Sequence, residues 1–177
     1  MDEILDDLEN QAAKKKKENH RFFERLKKKP PKDLDDVTYE LHEKEFENIS
    51  CLNCANCCKT TGPLFTQKDI DRISQHLKMS PGDFVSKYLR IDEDNDYVLQ
   101  TVPCSFLLDN NECSIYDIRP KACREFPHTD RKKFSQLLNL TLINTAVCPA
   151  VYNIVEELKS HYKKPERTDK FGRKRTY

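Results

Sequence analysis

Only three glycines occur among 177 residues, so tight turns have few places to form. The chain has no glycine-rich phosphate loop and no Gly-x-Ser-x-Gly elbow, which removes two common frames for nucleotide binding and serine hydrolysis. No apolar run approaches the ~20 residues that span a bilayer. The N-terminus, M-D-E-I-L-D-D-L-E-N, opens acidic and lacks the basic start and apolar stretch of a secretory signal. The expected compartment is therefore a reducing cytoplasm, with no membrane contact. No internal repeat of useful length is present. Apolar residues make up 37% and charged residues 34%, a low hydrophobic content for a packed globule.

Charge is unevenly distributed. Residues 1–32 carry ten Lys and Arg against seven Asp and Glu, a net +3; residues 33–158 carry a net −8 and residues 159–177 a net +6. An acidic middle lies between two basic ends, and the ends are expected to stay outside the core. The organisation expected is a charged helical arm (1–32), a metal-binding domain (33–165) and a basic disordered tail (166–177). The runs K-K-K-K at 14–17 and K-K-K at 27–29 read most simply as solvated helix faces. The alternative is contact with a protein or nucleic acid through the basic arms.

Apolar spacing predicts a charged helix over 1–28, ended by Pro30-Pro31, and a second helix from about Asp35 to Asn48. Thr66 is the N-cap of a helix with Asp69 in its first turn and Ile70, Ile73 and Leu77 on one face. Ser80-Pro81 opens another. Residues 97–102 and 104–108 are expected to be extended, and D-N-N-E (109–112) is a turn, giving a short hairpin that brings Cys104 and Cys113 together. A helix begins near Pro120, 131–144 is ambiguous, and Val151, Ile154, Val155, Leu158 and Tyr162 mark one face of a final helix. The fold class expected is α+β, mostly α: one small metal-stapled domain with a short β-hairpin.

Against these absences stand eight cysteines. In a reducing compartment structural disulfides are rare, so the thiols read as metal ligands. Metal–thiolate bonds can close loops that a small core cannot hold by burial alone. The stretch C-L-N-C-A-N-C-C puts Cys51, Cys54 and Cys57 at the spacing that wraps one metal. Neighbouring side chains diverge, so Cys58 is expected to face a second centre. Cys104, Cys113, Cys123 and Cys148 complete two sets of four. A C-x2-C-x2-C run with a distant Cys-Pro is a pattern of iron–sulfur proteins. It favours grouping Cys51, Cys54 and Cys57 with Cys148, leaving Cys58, Cys104, Cys113 and Cys123. One site with spare cysteines, or two metals sharing bridging thiolates, are the alternatives. Thiolates suit zinc and iron alike, including an iron–sulfur cluster. Four thiolates on Zn²⁺ leave a net charge of about −2 per site, so cations should lie nearby. Arg119, Lys121 and Arg124 flank Cys123, and Lys59 follows Cys58.

C-L-N-C-A-N-C-C, then P-C-S-F-L, then C-S-I-Y-D-I-R-P-K-A-C-R-E-F-P, resemble the cysteine-cluster family named for its C-x-x-C-x-x-C-C motif, whose domain is described as zinc- or iron-chelating. The resemblance covers about residues 50–149, through Cys113, Tyr116, Arg119, Pro120, Cys123, Arg124 and Pro127 in its second block. One departure is Ala55, where many members carry glycine. The family consists mostly of uncharacterised bacterial proteins. A related cluster in the flagellin lysine N-methylase does not transfer methylation to a chain with no evident further catalytic domain. The resemblance implies a metal and nothing more specific.

Two function classes follow. One is a binding or structural module in which closed metal sites hold the core; the other is an iron–sulfur redox or metal-dependent enzyme. A reactive metal needs an open position and acid–base groups, for which Tyr116, Asp117 and His128 are candidates. Each has a plainer reading: Tyr116 as a core aromatic, Asp117 as a cap for the helix near Pro120, His128 as a loop histidine rather than a ninth ligand. His20, His42, His76 and His161 form no constellation.

Overall fold

The structure is a computed structural model that describes residues 2–163, with side chains from residue 7 onward; the tail expected over 166–177 lies outside the described residues. The elements run α1 (Asp2–Lys28), α2 (Leu34–Phe46), α3 (Cys51–Cys54), α4 (Asn56–Thr60), β1 (Leu64–Phe65), α5 (Gln67–His76), α6 (Pro81–Tyr88), β2 (Leu89–Ile91), β3 (Tyr97–Leu99), α7 (Lys121–Glu125), α8 (Leu138–Asn144) and α9 (Pro149–His161). Short 3-10 turns occupy Tyr116–Ile118 and Phe134–Gln136. The class is α+β and mostly α.

Two hydrophobic clusters divide the core. The first is helical: α9 contributes Val151, Ile154, Val155 and Leu158, all fully buried, each side chain stabilising by about 1.5–3 kcal/mol relative to exposure. Around it pack α1, α2, α8 and the turn at Phe134. This corrects the expectation that the N-terminal segment stays outside the core. Phe22, Phe23 and Leu26 of α1 are buried in the first cluster, and Ala12 and Leu8 continue the same face roughly three and four turns before Phe22. Its many lysines disguised that stripe. Asp35 of α2 accepts the backbone N–H groups of Lys133 and Phe134 at 2.7 and 2.9 Å, tying α2 to the Phe134 turn.

The second cluster joins α5, α6 and a small sheet through Phe65, Ile70, Ile73, Phe84, Leu89, Leu99, Phe106 and Ile115. Thr66 caps α5 reciprocally with Asp69, and Ser80 caps α6 ahead of Pro81, as the sequence indicates. The sheet is antiparallel in the order β1-β3-β2, with Phe65 opposite Tyr97 and Arg90 opposite Val98. The expected turn at 109–112 is present, with Leu108 N donating to Glu112 O and Ser114 N to Phe106 O, both at 2.8 Å, but residues 97–99 belong to a different pairing. Residues 97–99 pair with 89–91 and 64–65, while 104–113 closes on itself by one bridge between Leu107 and Cys113. Residues 92–96 supply the turn: the Asp92 carboxylate accepts the N–H groups of Asp94 and Asp96, both at 3.0 Å.

Candidate metal centre

The eight cysteines lie where the two clusters meet. Cys148 is buried within the first cluster, and Cys104 and Cys113 pack on the second. The motif between them is not an open loop but two short helical turns, α3 and α4, joined at Ala55. This residue is left-handed, with φ 49° and ψ 14°. That conformation suits glycine, so the one departure from the family pattern falls where the backbone reverses. The Ala55 N–H donates to Cys51 O at 2.8 Å, and its carbonyl accepts from Cys58 N at 2.9 Å.

Backbone and amide hydrogen bonds gather the remaining thiols around this motif. Cys104 N donates to Cys58 O at 2.8 Å. Asn56 Nδ2 donates to Val147 O at 2.7 Å, fixing the residue before Cys148. Asn111 Nδ2 reaches Asn53 O at 3.3 Å, pinning the turn between Cys104 and Cys113 to α3. Cys123 rides on α7, whose first N–H, that of Lys121, donates to Asp69 Oδ1 at 3.1 Å.

The sulfur atoms of Cys57 and Cys58 stand 4.0 Å apart, so the expected divergence of this adjacent pair is corrected: within one helical turn both rotate to the same side. All eight thiols are free. Among the described residues, no three His, Cys, Asp or Glu side chains are drawn together as a completed metal site would hold them.

The thiols influence one another's charge: Cys51 feels Cys54 and Cys58, and Cys57 feels Cys58, Cys123 and Cys148. Burial pushes the Cys148 thiol up to about 12, with the charges of Cys51 and Cys54 adding to the effect. Burial also raises Cys123 to about 12, and there the added charges are Cys58, Cys104 and Cys113. Burial raises Cys51, Cys104 and Cys113 as well. The adjacent pair splits. A hydrogen bond from Cys57 brings Cys58 down to about 7, helped by Arg119 and Lys59, and the same bond raises Cys57.

Arg119 is the cation common to these thiols, lowering Cys51, Cys58, Cys113 and Cys123. Its guanidinium lies 3.5 Å from the Tyr116 ring centroid, and its Nε is buried with no hydrogen-bond partner. Its carbonyl accepts from Arg72 at 2.9 Å and from Arg124. A buried donor without an acceptor is costly; thiolates or a sulfide ligand would supply one. Of the other cations expected to compensate charge, Lys59 takes part. Lys121 pairs loosely with Glu125 at 3.9 Å, and Arg124 turns to the Arg119 carbonyl.

Sequence reasoning missed Asp69 as a part of this centre. It is 1% exposed and accepts from Thr66 N, Thr66 Oγ1, Arg72 Nη2 and Lys121 N at 3.0, 2.6, 2.7 and 3.1 Å. It therefore holds the start of α7, the role expected of Asp117, which is exposed. The signal available was its capping position alone; the 52-residue reach to Lys121 has no sequence signature. Tyr116 is 40% exposed under its arginine. His128 follows a cis Phe126–Pro127 bond with φ 70°, half-buried, and burial lowers its pKa. His42 Nδ1 lies 2.8 Å from Thr129 Oγ1.

The family described as "CxxCxxCC: Putative zinc- or iron-chelating domain" matches residues 50–142, just over half of the chain. Among curated relatives, an uncharacterized protein of Methanocaldococcus jannaschii is 33% identical over 84 residues, which is 45% of this chain and 44% of the relative. The chain thus spans under half the length of that relative. No solved structure matches it. Among the described residues no helix is long and apolar enough to cross a membrane.

Proposed function

This chain belongs to the CxxCxxCC family of zinc- or iron-chelating domains, and we propose that its cysteines hold metal at two adjoining thiolate centres that staple the two hydrophobic clusters together. One centre takes Cys51, Cys54, Cys57 and Cys148; the other takes Cys58, Cys104, Cys113 and Cys123. The observation that carries this reading is that all eight thiols are free, with Cys51, Cys58, Cys113 and Cys123 within the charge influence of Arg119, whose buried Nε has no hydrogen-bond partner. Cys148 feels Cys51 and Cys54, and Cys123 feels Cys58, Cys104 and Cys113, as this division has them; Cys57, which feels both Cys123 and Cys148, stands at its seam with Cys58. Bound zinc would supply cross-linking, and iron would add electron-transfer capacity. Metal held there would bind these cysteines as thiolates, so the raised thiols would give up their protons.

The test is metal content and acid-labile sulfide in protein purified without oxygen or added metal, alongside Cys148→Ser and Cys123→Ser. Each substitution should remove about half of the bound metal and the pair together nearly all of it. Zinc without sulfide assigns the structural role; iron with sulfide and visible absorption assigns a cluster. Wild-type protein that retains neither metal refutes the reading, and loss of all metal from either single variant refutes the division.

A further inference from the structure

The exposed side of α1 is organised in a way the metal centre does not use. At 100° per residue, Lys14, Lys17, Arg21, Arg25 and Lys28 fall within an arc of about 80°. All five are exposed, and they lie opposite the buried face of Leu8, Ala12, Phe22, Phe23 and Leu26. They extend over about 21 Å of helix. Two acidic residues of the same helix pair outside the stripe: Glu18 with Lys159 at 2.9 Å and Lys15 at 3.4 Å, and Glu24 with Lys27 at 2.8 Å. Among the described residues none of the five stripe cations has a carboxylate within 4.0 Å. A groove between α1 and α9 borders the stripe, with Arg21, Arg25, Lys159 and Lys163 facing Glu18 and Glu156.

We propose that this outward stripe of α1 binds nucleic acid through its phosphate backbone. Five unneutralised cations in a row on a rigid helix match a linear array of phosphates and carry no groups arranged to read bases. A membrane surface fits less well, because the apolar face an interfacial helix would insert is already buried against the core. Arg25 is additionally steadied by the Phe22 ring, 5.2 Å away, and by the Tyr162 carbonyl, which limits the freedom lost on binding.

The experiment measures binding of the metal-loaded full chain to a mixed-sequence single-stranded RNA across salt concentration. Five phosphate contacts give a slope of log K against log salt of roughly −3.5, or about a 130-fold loss of affinity between 50 and 200 mM. The triple variant Lys14→Gln, Lys17→Gln, Arg21→Gln should flatten the slope by about 2. A charge-matched control, Lys68→Gln, Arg90→Gln, Lys132→Gln, should leave it unchanged. All variants keep the basic C-terminus, so the difference reports on α1. Single Lys17→Gln, expected to shift the slope by about 0.7, serves where the triple variant loses its fold. Equal effects of triple and control, or binding of phosphatidylserine vesicles with none of RNA, overturn the proposal.

Discussion

Two residues near the cysteines govern how they are held. Ala55 makes the left-handed link between α3 and α4 while 4% exposed. A β-branched side chain is a genuine outlier in that region, so Ala55→Val should cost at least ~2 kcal/mol and weaken metal retention. Ala55→Gly relieves strain but gives up a buried methyl and adds unfolded-state freedom; its effect should stay within about 1 kcal/mol. Chemical denaturation of both variants checks the contrast. Asp69 acts through charge as well as shape. Burial alone would raise its carboxyl, yet hydrogen bonds from Thr66, Arg72 and the Lys121 amide hold it below its ordinary 3.8. The stability it contributes is therefore complete above that value and lost as pH falls through the lower folded one. Asp69→Asn should cost about 2–3 kcal/mol at neutral pH, and urea titrations should show the gap to wild type closing below pH 3.8.

At the scale of elements, legibility followed local chemistry. The caps at Thr66 and Ser80 and the apolar face of α9 could be read directly, because each is a pattern within one or two turns. The motif region read as a loop because α3 and α4 span only 4 and 5 residues, too few for a periodicity to register. The ambiguous 131–144 stretch resolved into the Phe134–Gln136 turn and α8, neither longer than 7 residues. The sheet was misplaced for a different reason. Its strands are two or three residues long, and their pairing is set by how Phe65, Leu89 and Leu99 fill the space beside Phe84, which no single segment encodes. The thiols themselves stood out in the sequence. The cation that acts on four of them, Arg119, was legible only as one of several flanking cations, and the 4.0 Å approach of Cys57 and Cys58 ran against the simple expectation for adjacent side chains.

Across the whole molecule, the thiols occupy the seam between two cores of unequal independence. The first cluster closes through Phe22, Phe134, Leu138 and the α9 face. The second rests on a small sheet, two helices of 10 and 8 residues and the 104–115 segment. Removing metal with a chelator under reducing conditions should therefore loosen one side selectively. Hydrogen exchange should rise on the order of tenfold or more in α3, α4, α7 and 104–113, while Val151–Leu158 keep their protection. Uniform loss across both clusters would show that the metal supports the whole fold.

The packing of α1 on α8 and α9 also sets an order of events during synthesis. α1 finds these partners only after more than a hundred further residues have emerged. Through that interval Phe22, Phe23 and Leu26 lack the α8 and α9 side chains of their cluster, while a row of lysines and arginines lines the far side of the same helix. Seven of the eight thiols are already out by Cys123, and only Cys148 arrives with α9. Most of the thiols thus emerge before the helical core can shut, and if they hold metal, its capture and core closure can proceed in either order.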